Sequence, residues 1–408
     1  EETMKQIITA KTVLSGAELE EIHNGAVVIE DGKILKVVPE SALTAEDKAG
    51  AQVISFAEET VMPGMIECHN HLSIDARKSE HLEILGTASE CKLTLLALEG
   101  LHDDLLSGVT TARCMGDKYD LDLKLKKEIE AGNVTGPDLL TAGVGMKGSN
   151  GSGYIGAPHS GVEEFRRTAR ANVSKGVNVL KIFTTPGLFS VKQGFVPSFL
   201  SAEEIRTVVE EGERLHLPVA AHCIGGKALH DCVEQGVAVI EHAYCASQED
   251  IELLKAHPEC WVDLTTGIYL DPDREAYLSP ANVAKAREGR EIVRKCVGDL
   301  VKAGIHFALG TDANHGLLWK EVVYAVELGA DKRDALKGVT SNAAYISRVA
   351  GKKGELSAGA DADVIAVQGN PLEDPAVLEH VSFVMKKGVV YKEDGVASGN
   401  CHSFQKAL

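Results

Sequence analysis

The fold of this chain is decided by a short stretch, residues 61–71, which reads VMPGMIECHNH. It begins as an apolar run with strand character and ends in two histidines separated by one residue. Because alternate residues of a strand point to the same face, His69 and His71 can reach a common point. A lone pair of this kind is a weak signal, and its simplest alternative is a hydrogen-bonded pair in a polar turn. The rest of the chain has to decide between the two interpretations.

Seven further apolar runs follow, and they alternate with helical patterns such as residues 202–215, 228–235 and 281–303. Uninterrupted apolar strands are typical of a parallel sheet that is covered on both faces. Eight β/α units over about 290 residues predict a closed (β/α)8 TIM barrel, with a doubly wound open sheet as the main alternative. The eight runs lie at residues 61–68, 109–113, 139–144, 177–184, 217–222, 237–242, 260–265 and 305–311.

Both ends of the chain have a different pattern, made of short β-branched runs and turns. The early runs lie at residues 6–10, 26–30 and 34–38, and the late runs lie at residues 363–367 and 381–386. Turn-forming Asn-Gly, Asp-Gly and Lys-Gly pairs separate them. We therefore predict a small β-sandwich domain built from residues 1–62 plus 353–408, and a barrel domain over residues 63–352.

Composition narrows the classes of partner. The 408-residue chain is 44% hydrophobic and 25% charged, and its net charge of −18 disfavours nucleic acid and anionic membranes, which would repel it. No apolar run is long enough to span a membrane, and residues 1–30 lack the layout of a signal peptide. Nine cysteines without a CxxC pair are typical of reduced thiols. We expect a cytoplasmic protein.

Single candidate ligands end several later runs. His222 and His242 each end one, twenty residues apart, so one β/α unit separates them and they should lie at the same height on neighbouring strands. Asp312 follows the last run in a Gly-Thr-Asp sequence. Taken singly, each histidine is more simply a hydrogen-bonded core residue, and Asp312 is more simply a helix N-cap.

Lys181 lies inside VLKIF, an otherwise apolar run. Burying a lysine costs free energy unless the amine is paired or neutral. Burial lowers the pKa of the amine and makes it nucleophilic, so that it can add carbon dioxide and become a bidentate carbamate. The alternative is a lysine paired with a carboxylate at a strand end.

The six residues together favour a metal site. All of them fall at the C-terminal ends of predicted barrel strands, where barrel enzymes place their chemistry. Imidazole and carboxylate ligands suit zinc and its neighbours. The predicted ligands are His69, His71, Lys181, His222, His242 and Asp312.

These motifs resemble the amidohydrolase superfamily, in its binuclear subtype with a carboxylated lysine. Residues 63–71 are similar to the first-strand signature of that family, and residues 354–363, GELSAGADAD, are similar to its re-entry into the small β domain. The layout is most similar to Xaa-Pro dipeptidases and amino-acid carboxypeptidases of the imidazolonepropionase-like group.

The resemblance implies two divalent metal ions, with zinc as the first choice and manganese, iron, nickel or cobalt as alternatives. A bridging hydroxide would attack the substrate, because two ions lower the pKa of bound water towards ~7 and polarise a carbonyl. Asp312 would act as general base and then as general acid. In the family's arrangement one ion is held by His69, His71, carboxylated Lys181 and Asp312, and the other by Lys181, His222 and His242.

The sequence departs from the family's pattern after three strands. The loop at residues 148–159, GSNGSGYIGAPH, replaces a Gly-Gly-His segment, and Tyr154 and His159 are the candidates for the group that polarises the substrate carbonyl. The alternative is a mobile loop in which both side chains are solvated. Residues 113–116 and 223–226 also differ from the usual segments. These differences leave the substrate open but keep every metal ligand.

We therefore predict a metal-dependent hydrolase that cleaves an amide C–N bond of a small molecule, such as a dipeptide or an N-acyl amino acid. The alternative reaction is hydrolysis of a cyclic amide, urea or carbamate at the same two-metal site. A different class, a scaffold protein that kept the fold and lost the chemistry, is separated from both by a metal titration. We expect a small-molecule substrate, no nucleic-acid or membrane partner, and a homo-oligomer.

Overall fold

The computed structural model describes residues 5–151, 155–191 and 195–401. The strands within these ranges are β1 (Lys5–Ser15), β2 (Glu20–Glu30), β3 (Lys33–Pro39), β4 (Gln52–Pro63), β5 (Met65–Asn70), β6 (Val109–Cys114), β7 (Asp138–Leu140), β8 (Met146–Gly148), β9 (Ala157–His159), β10 (Leu180–Phe183), β11 (Val219–Cys223), β12 (Val239–His242), β13 (Trp261–Leu264), β14 (Phe307–Leu309), β15 (Val364–Gln368), β16 (Val381–Lys386), β17 (Val389–Glu393) and β18 (Val396–Ala397).

The helices in the same ranges are α1 (Ala45–Lys48), α2 (His81–Thr87), α3 (Glu90–Leu106), α4 (Leu121–Glu130), α5 (Val162–Ser174), α6 (Ala202–Glu213), α7 (Lys227–Glu234), α8 (Gln248–Ala256), α9 (Gly267–Leu270), α10 (Pro280–Lys302), α11 (Leu318–Glu327), α12 (Lys332–Lys337) and α13 (Ser341–Ile346). Short 3-10 segments lie at Glu40–Ala42, Lys118–Asp120, Leu188–Ser190, Pro272–Tyr277 and Pro375–His380.

The central part of the chain is a (β/α)8 barrel. Strands β5 to β7 form one parallel ladder, and β10 to β14 form another. The Asn178 amide donates to the Thr141 carbonyl at 2.8 Å and joins the two ladders on one side. The Asp312 amide donates to the His69 carbonyl at 2.9 Å and joins the last strand to the first. The predicted barrel is confirmed, and the open-sheet alternative is wrong because these bonds close the ring.

Each of the eight predicted apolar runs overlaps one barrel strand, and local signals place the predicted helices. Ser201 caps α6 by accepting from the Glu204 amide, while the Glu204 carboxylate accepts from the Ser201 amide. Ser279 caps α10, whose first residue, Pro280, suits a position where no amide hydrogen is needed. The helices bury one face against the strands, so the barrel wall is apolar on its outer side.

The two chain ends form one separate sheet. Its strand order is β18-β17-β16-β15-β4-β1-β2-β3, so the ends meet where β15 pairs antiparallel with β4. The prediction that both ends build one β unit is confirmed, and the described strands of this unit form a single continuous ladder. The predicted domain boundaries, after residue 62 and before residue 353, stay a prediction.

An ion cluster joins this sheet to the barrel. Asp138, the first residue of β7, lies 2.9 Å from the Lys353 ammonium, 3.3 Å from that of Lys386 and 2.6 Å from that of Lys387. Burial alone would raise the pKa of Asp138, but the three ammonium groups hold that pKa well below its usual range. Lys386 is the last residue of β16 in the sheet and Lys387 follows it, whereas Asp138 begins a barrel strand. The cluster therefore fixes the sheet against the base of the barrel.

The described residues contain neither a membrane-spanning helix nor a disulfide bond. None of the helices that the structure describes combines the length and the apolarity needed to cross a membrane. All nine cysteines lie within the described residues and are unpaired, as expected for reduced thiols.

Candidate active site

The predicted ligands gather at the C-terminal mouth of the barrel. Asp312 Oδ1 lies 3.7 Å from His69 Nε2 and 3.5 Å from His71 Nε2. The ring centroid of His242 lies 4.7 Å from that of His69 and 4.6 Å from that of His222. The structure thus brings four histidines from three strand ends and one aspartate from a fourth into one cluster.

Hydrogen bonds fix which ring nitrogen of each histidine is free. His71 Nδ1 donates to the Gly116 carbonyl at 2.7 Å, and His69 Nδ1 lies 2.7 Å from Glu241 Oε2, so Nε2 of both rings faces Asp312. His242 Nδ1 is 2.7 Å from the Thr265 hydroxyl, which leaves its Nε2 free. His222 is engaged the other way, through Nε2 and the Pro186 carbonyl at 3.3 Å, which leaves Nδ1 free. Such partners orient metal-binding imidazoles in proteins.

The same histidines are held neutral. Burial lowers the pKa of His71, and burial together with the nearby Lys181 ammonium lowers the pKa of His222 to about 4. For His69 and His242 burial moves the pKa well below its usual value. Neutral imidazole is the form that binds a metal ion, so the cluster is in the correct protonation state at neutral pH.

Lys181 lies on β10 beneath this cluster and is fully buried. Its Nζ has no hydrogen-bond partner among the described residues, so the predicted alternative of a direct carboxylate pair is not observed there. Burial lowers the pKa of the amine to about 8, even though Glu241 and Asp312 act to raise it. A pKa near 8 leaves part of the amine neutral at neutral pH, and the neutral form is the one that adds carbon dioxide.

An open cavity of about 250 Å³ lies above the cluster, and Asp312 and the four histidines line its floor. Apolar side chains, among them Phe183 and Phe199, line the wall, and Lys147 also lines it. A mostly apolar cavity with a few convergent polar groups suits a small-molecule ligand.

A profile described as the amidohydrolase family matches residues 60–392. This chain belongs to the amidohydrolase family. An ochratoxinase from Aspergillus niger is 29% identical over 97% of this chain and 88% of its own length. An imidazolonepropionase from Desulfotalea psychrophila is 24% identical over 92% of each chain. A crystal structure of a Xaa-Pro dipeptidase with methionine bound in its active site superposes with a TM-score of 0.84, at 25% identity, and covers 95% of this chain and all of the other.

The interior of this amidohydrolase barrel holds further charges that the sequence analysis missed. Arg113 donates from Nη2 to Glu241 Oε1 at 2.7 Å and to Asp263 Oδ2 at 3.2 Å, and from Nε to the Cys68 carbonyl at 2.7 Å. Because the other oxygen of Glu241 holds the His69 ring, this network connects the candidate ligand to the barrel wall. The missed signal is a charged residue inside an apolar run, the same signal that identified Lys181.

Glu67 is a second buried carboxylate that was missed. Its Oε1 accepts from the His69 amide at 2.8 Å and from the Thr311 amide at 2.9 Å, so it ties the first barrel strand to the last. Burial raises the pKa of Glu67 to about 8. The carboxyl group therefore positions the backbone of His69 and of Thr311, the residue before Asp312.

The backbone is strained at two of the candidate ligands. His242 has φ 83°, and the next residue, Ala243, has φ 51°. Asp312 has φ 54°, and Ala313 has φ 68°. Residues other than glycine rarely adopt this left-handed backbone conformation, which costs on the order of 1–3 kcal/mol of free energy per residue. Such outliers concentrate at functional sites, which supports a functional role for both strand ends.

The two candidates for carbonyl polarisation have different outcomes. Tyr154 lies outside the described residues. His159 does not join the cluster: its Nδ1 donates to the Ala157 carbonyl at 2.7 Å, and its Nε2 accepts from the Thr168 hydroxyl at 2.7 Å. Its ring packs 5.0 Å from that of Phe165 on α5. His159 is thus turned towards α5, and it is not among the described residues that line the cavity. Its catalytic role stays a prediction.

Proposed function

We propose that this amidohydrolase is a metal-dependent enzyme that cleaves an amide C–N bond of a small molecule, such as a dipeptide or an N-acyl amino acid. The observation that carries the proposal is the cluster at the barrel mouth, where neutral histidines and Asp312 converge with the Lys181 amine. Within the described parts of the chain that amine has no hydrogen-bond partner. A buried amine without a partner is costly unless another group satisfies it, and a carbamate between two ions would do so.

The donors fit two divalent ions, with zinc as the first choice. Ring nitrogens of His69 and His71 and an oxygen of Asp312 lie within 4.8 Å of one another. His222 Nδ1 and His242 Nε2 remain available for the second ion. When bound, the ions would lower the pKa of water and polarise the substrate carbonyl. Carboxylated Lys181 would contribute to both ions, with His69, His71 and Asp312 on one side and His222 and His242 on the other.

The chain's own residues account for the proton transfers. Asp312 is partly exposed to the cavity, where its carboxylate takes a proton from the attacking water as the water oxygen adds to the carbonyl carbon. When the C–N bond breaks, Asp312 returns that proton to the leaving nitrogen. One amide and one water become a carboxylic acid and an amine. The carbonyl-polarising role of Tyr154 stays a prediction.

The relatives support two substrate classes. The Xaa-Pro dipeptidase with methionine in its active site favours an amino-acid-like substrate. The similarity to an imidazolonepropionase favours the alternative, a cyclic amide, urea or carbamate cleaved at the same two-metal site. A cytoplasmic location and a homo-oligomer stay predictions.

Metal analysis combined with a hydrolysis screen tests the proposal. Protein produced with adequate zinc or manganese should contain about two equivalents per chain and should hydrolyse members of a panel of dipeptides, N-acyl amino acids, hydantoins and ureas. His222→Asn should lower the metal content and abolish hydrolysis, whereas His102→Asn, at a half-buried position away from the cluster, should change neither. A reproducible content of one equivalent, with His222 and His242 unliganded, would contradict the two-metal arrangement.

A further inference from the structure

Lys147 lines the wall of the cavity whose floor is the candidate metal cluster. Strand β8 runs parallel to β10, with Met146 opposite Ile182 and Lys147 opposite Phe183. Because side chains alternate between the two faces of a strand, Lys147 and Phe183 lie on the same face as Lys181. Two residues of strand correspond to about 6–7 Å, so Lys147 stands one level nearer the mouth than the buried lysine.

The composition of the wall indicates what Lys147 could recognise. Among the described residues that line the cavity, Lys147 supplies the ammonium group and Asp312 the carboxylate. Apolar side chains also line the cavity: Leu82, Leu85, Ile155, Phe183 and Phe199. Partial burial lowers the pKa of Lys147, because the ammonium is less hydrated in this wall than in open solvent. An anionic ligand group would stabilise the charged form of this ammonium.

Arg274 is a second cation near the cluster, but its position differs. It is buried, its Nη1 donates to the Ile268 carbonyl at 2.7 Å, and it is not among the residues lining the cavity. Its guanidinium therefore contacts helix α9, and Lys147, which lines the cavity, is the better placed to contact a ligand.

We propose that Lys147 binds the free carboxylate of the substrate. This inference rests on the proposed hydrolysis of a small amide and selects, within it, N-acyl amino acids and dipeptides that carry an apolar side chain. In such a molecule the carboxylate is attached to the carbon next to the scissile nitrogen. With the scissile carbonyl at Asp312, the carboxylate reaches the next level of the cavity, where Lys147 lies, and the apolar wall receives the side chain. A neutral cyclic amide or urea has no group for this ammonium.

The kinetic experiment compares two substrates that differ only in charge. Metal-loaded wild type, Lys147→Met and Lys147→Arg are assayed for acetate release from N-acetyl-L-phenylalanine and from N-acetyl-L-phenylalaninamide. Lys147→Met should lower kcat/KM for the acid roughly 10- to 100-fold, mainly through KM, because a hydrogen bond to a charged group is lost. The same substitution should change kcat/KM for the amide substrate by no more than about twofold. Lys147→Arg should restore part of the loss measured with the acid. Lys285→Met, which removes an exposed lysine from α10, should match wild type.

A binding experiment separates this inference from the proposed function. Calorimetry with L-phenylalanine and L-phenylalaninamide measures carboxylate recognition without turnover. Carboxylate-selective binding that is lost in Lys147→Met supports the assignment. If the same protein hydrolyses no amide of the panel, only the proposed reaction is overturned. Two results overturn the assignment and leave the proposed reaction standing. Either Lys147→Met slows hydrolysis of N-acetyl-L-phenylalanine and of N-acetyl-L-phenylalaninamide equally, or it leaves hydrolysis of N-acetyl-L-phenylalanine unchanged.

Discussion

Lys181 combines full burial with a missing hydrogen-bond partner among the described residues. We expect Lys181→Ala to lose bound metal and hydrolysis, and short carboxylic acids with bicarbonate to restore part of both. Lys181→Arg should stay inactive, because a guanidinium remains protonated and repels divalent ions. Metal content and rates on the substrate panel measure both effects, with exposed Lys285→Ala as control. A bare ammonium at Lys181 in a high-resolution map of active, metal-loaded enzyme would refute the carbamate.

Glu241 acts on the site through His69. Glu241→Gln keeps the shape of the side chain but weakens the hydrogen bond to His69 Nδ1 and removes one of the two carboxyl groups that face Arg113. We expect metal affinity to fall by roughly 10- to 100-fold, the usual effect of losing such a partner. Competition with a chelator measures the affinity. Exposed Glu252→Gln should bind metal like wild type, and an unchanged affinity in Glu241→Gln would show that Glu241 only packs.

The sequence predicted site residues that interrupt a regular pattern and missed those whose partners are distant in the chain. Lys181 and the histidines were recognisable because they break or end apolar runs. Arg113 and Glu241 break such runs as well, yet their pairing joins strands 128 residues apart. His159 was one of two candidates for the carbonyl-polarising group, because its loop replaces a histidine-containing segment. Its hydrogen-bond partner in the structure, Thr168, lies on the next helix and could not be identified from spacing.

At the scale of elements, His315 joins the loop after β14 to helix α3. Its Nδ1 lies 2.9 Å from Asp104 Oδ2, and its Nε2 lies 2.9 Å from the Ile74 carbonyl. Gly100 makes this approach possible, because a Cβ there would lie 2.8 Å from the His315 ring. Burial alone would lower the pKa of His315, but Asp104 and the Ile74 carbonyl raise it to about 9.

This bond makes stability depend on pH. Because the pKa in the folded state exceeds the ordinary value of 6.5, the stabilisation is complete below pH 6.5 and is lost as pH rises through about 9. It amounts to something on the order of 3 kcal/mol. Urea unfolding at pH 6 and pH 9.5 should show this loss in wild type and in the control His102→Gln, whose side chain is half-buried, but not in His315→Gln. An equal pH dependence in His315→Gln would remove His315 as the cause.

Strand existence was predictable from the sequence, and strand ends were less so. The apolar run at residues 139–144 forms a strand only over Asp138–Leu140. The Asp122 carboxylate of α4 accepts from the amides of Ala142 and Gly143 at 2.9 and 2.8 Å, and Gly143 turns into the left-handed region with φ 64°. Competition from a side chain twenty residues earlier is not visible in hydrophobic periodicity. Strands β8 and β9 were missed because their glycine-rich segment has the composition of a loop.

For the whole molecule, the sheet shared by the two chain ends should be needed for solubility. Deleting residues 364–408 removes the strand that pairs with β4 and exposes buried residues such as Val61 and Met62. We expect this variant to aggregate, because an unpaired apolar edge binds other strands. Sedimentation of cell extracts measures the soluble fraction. Deleting only residues 396–408, which removes edge strand β18, should be tolerated, and a soluble, fully active 364–408 deletion would contradict the shared sheet.

The pairing of β15 with β4 also sets an order of events during synthesis. Pro63 ends β4, and its partner in the sheet, Val364, leaves the ribosome only after the entire barrel has been translated. At 5–20 residues per second this interval lasts about 15–60 s. During this interval β4 of the nascent chain has an unpaired edge, and the barrel that follows it is incomplete. The yield of folded protein should therefore depend on chaperone levels and on growth temperature more strongly than the stability of the folded state alone would predict.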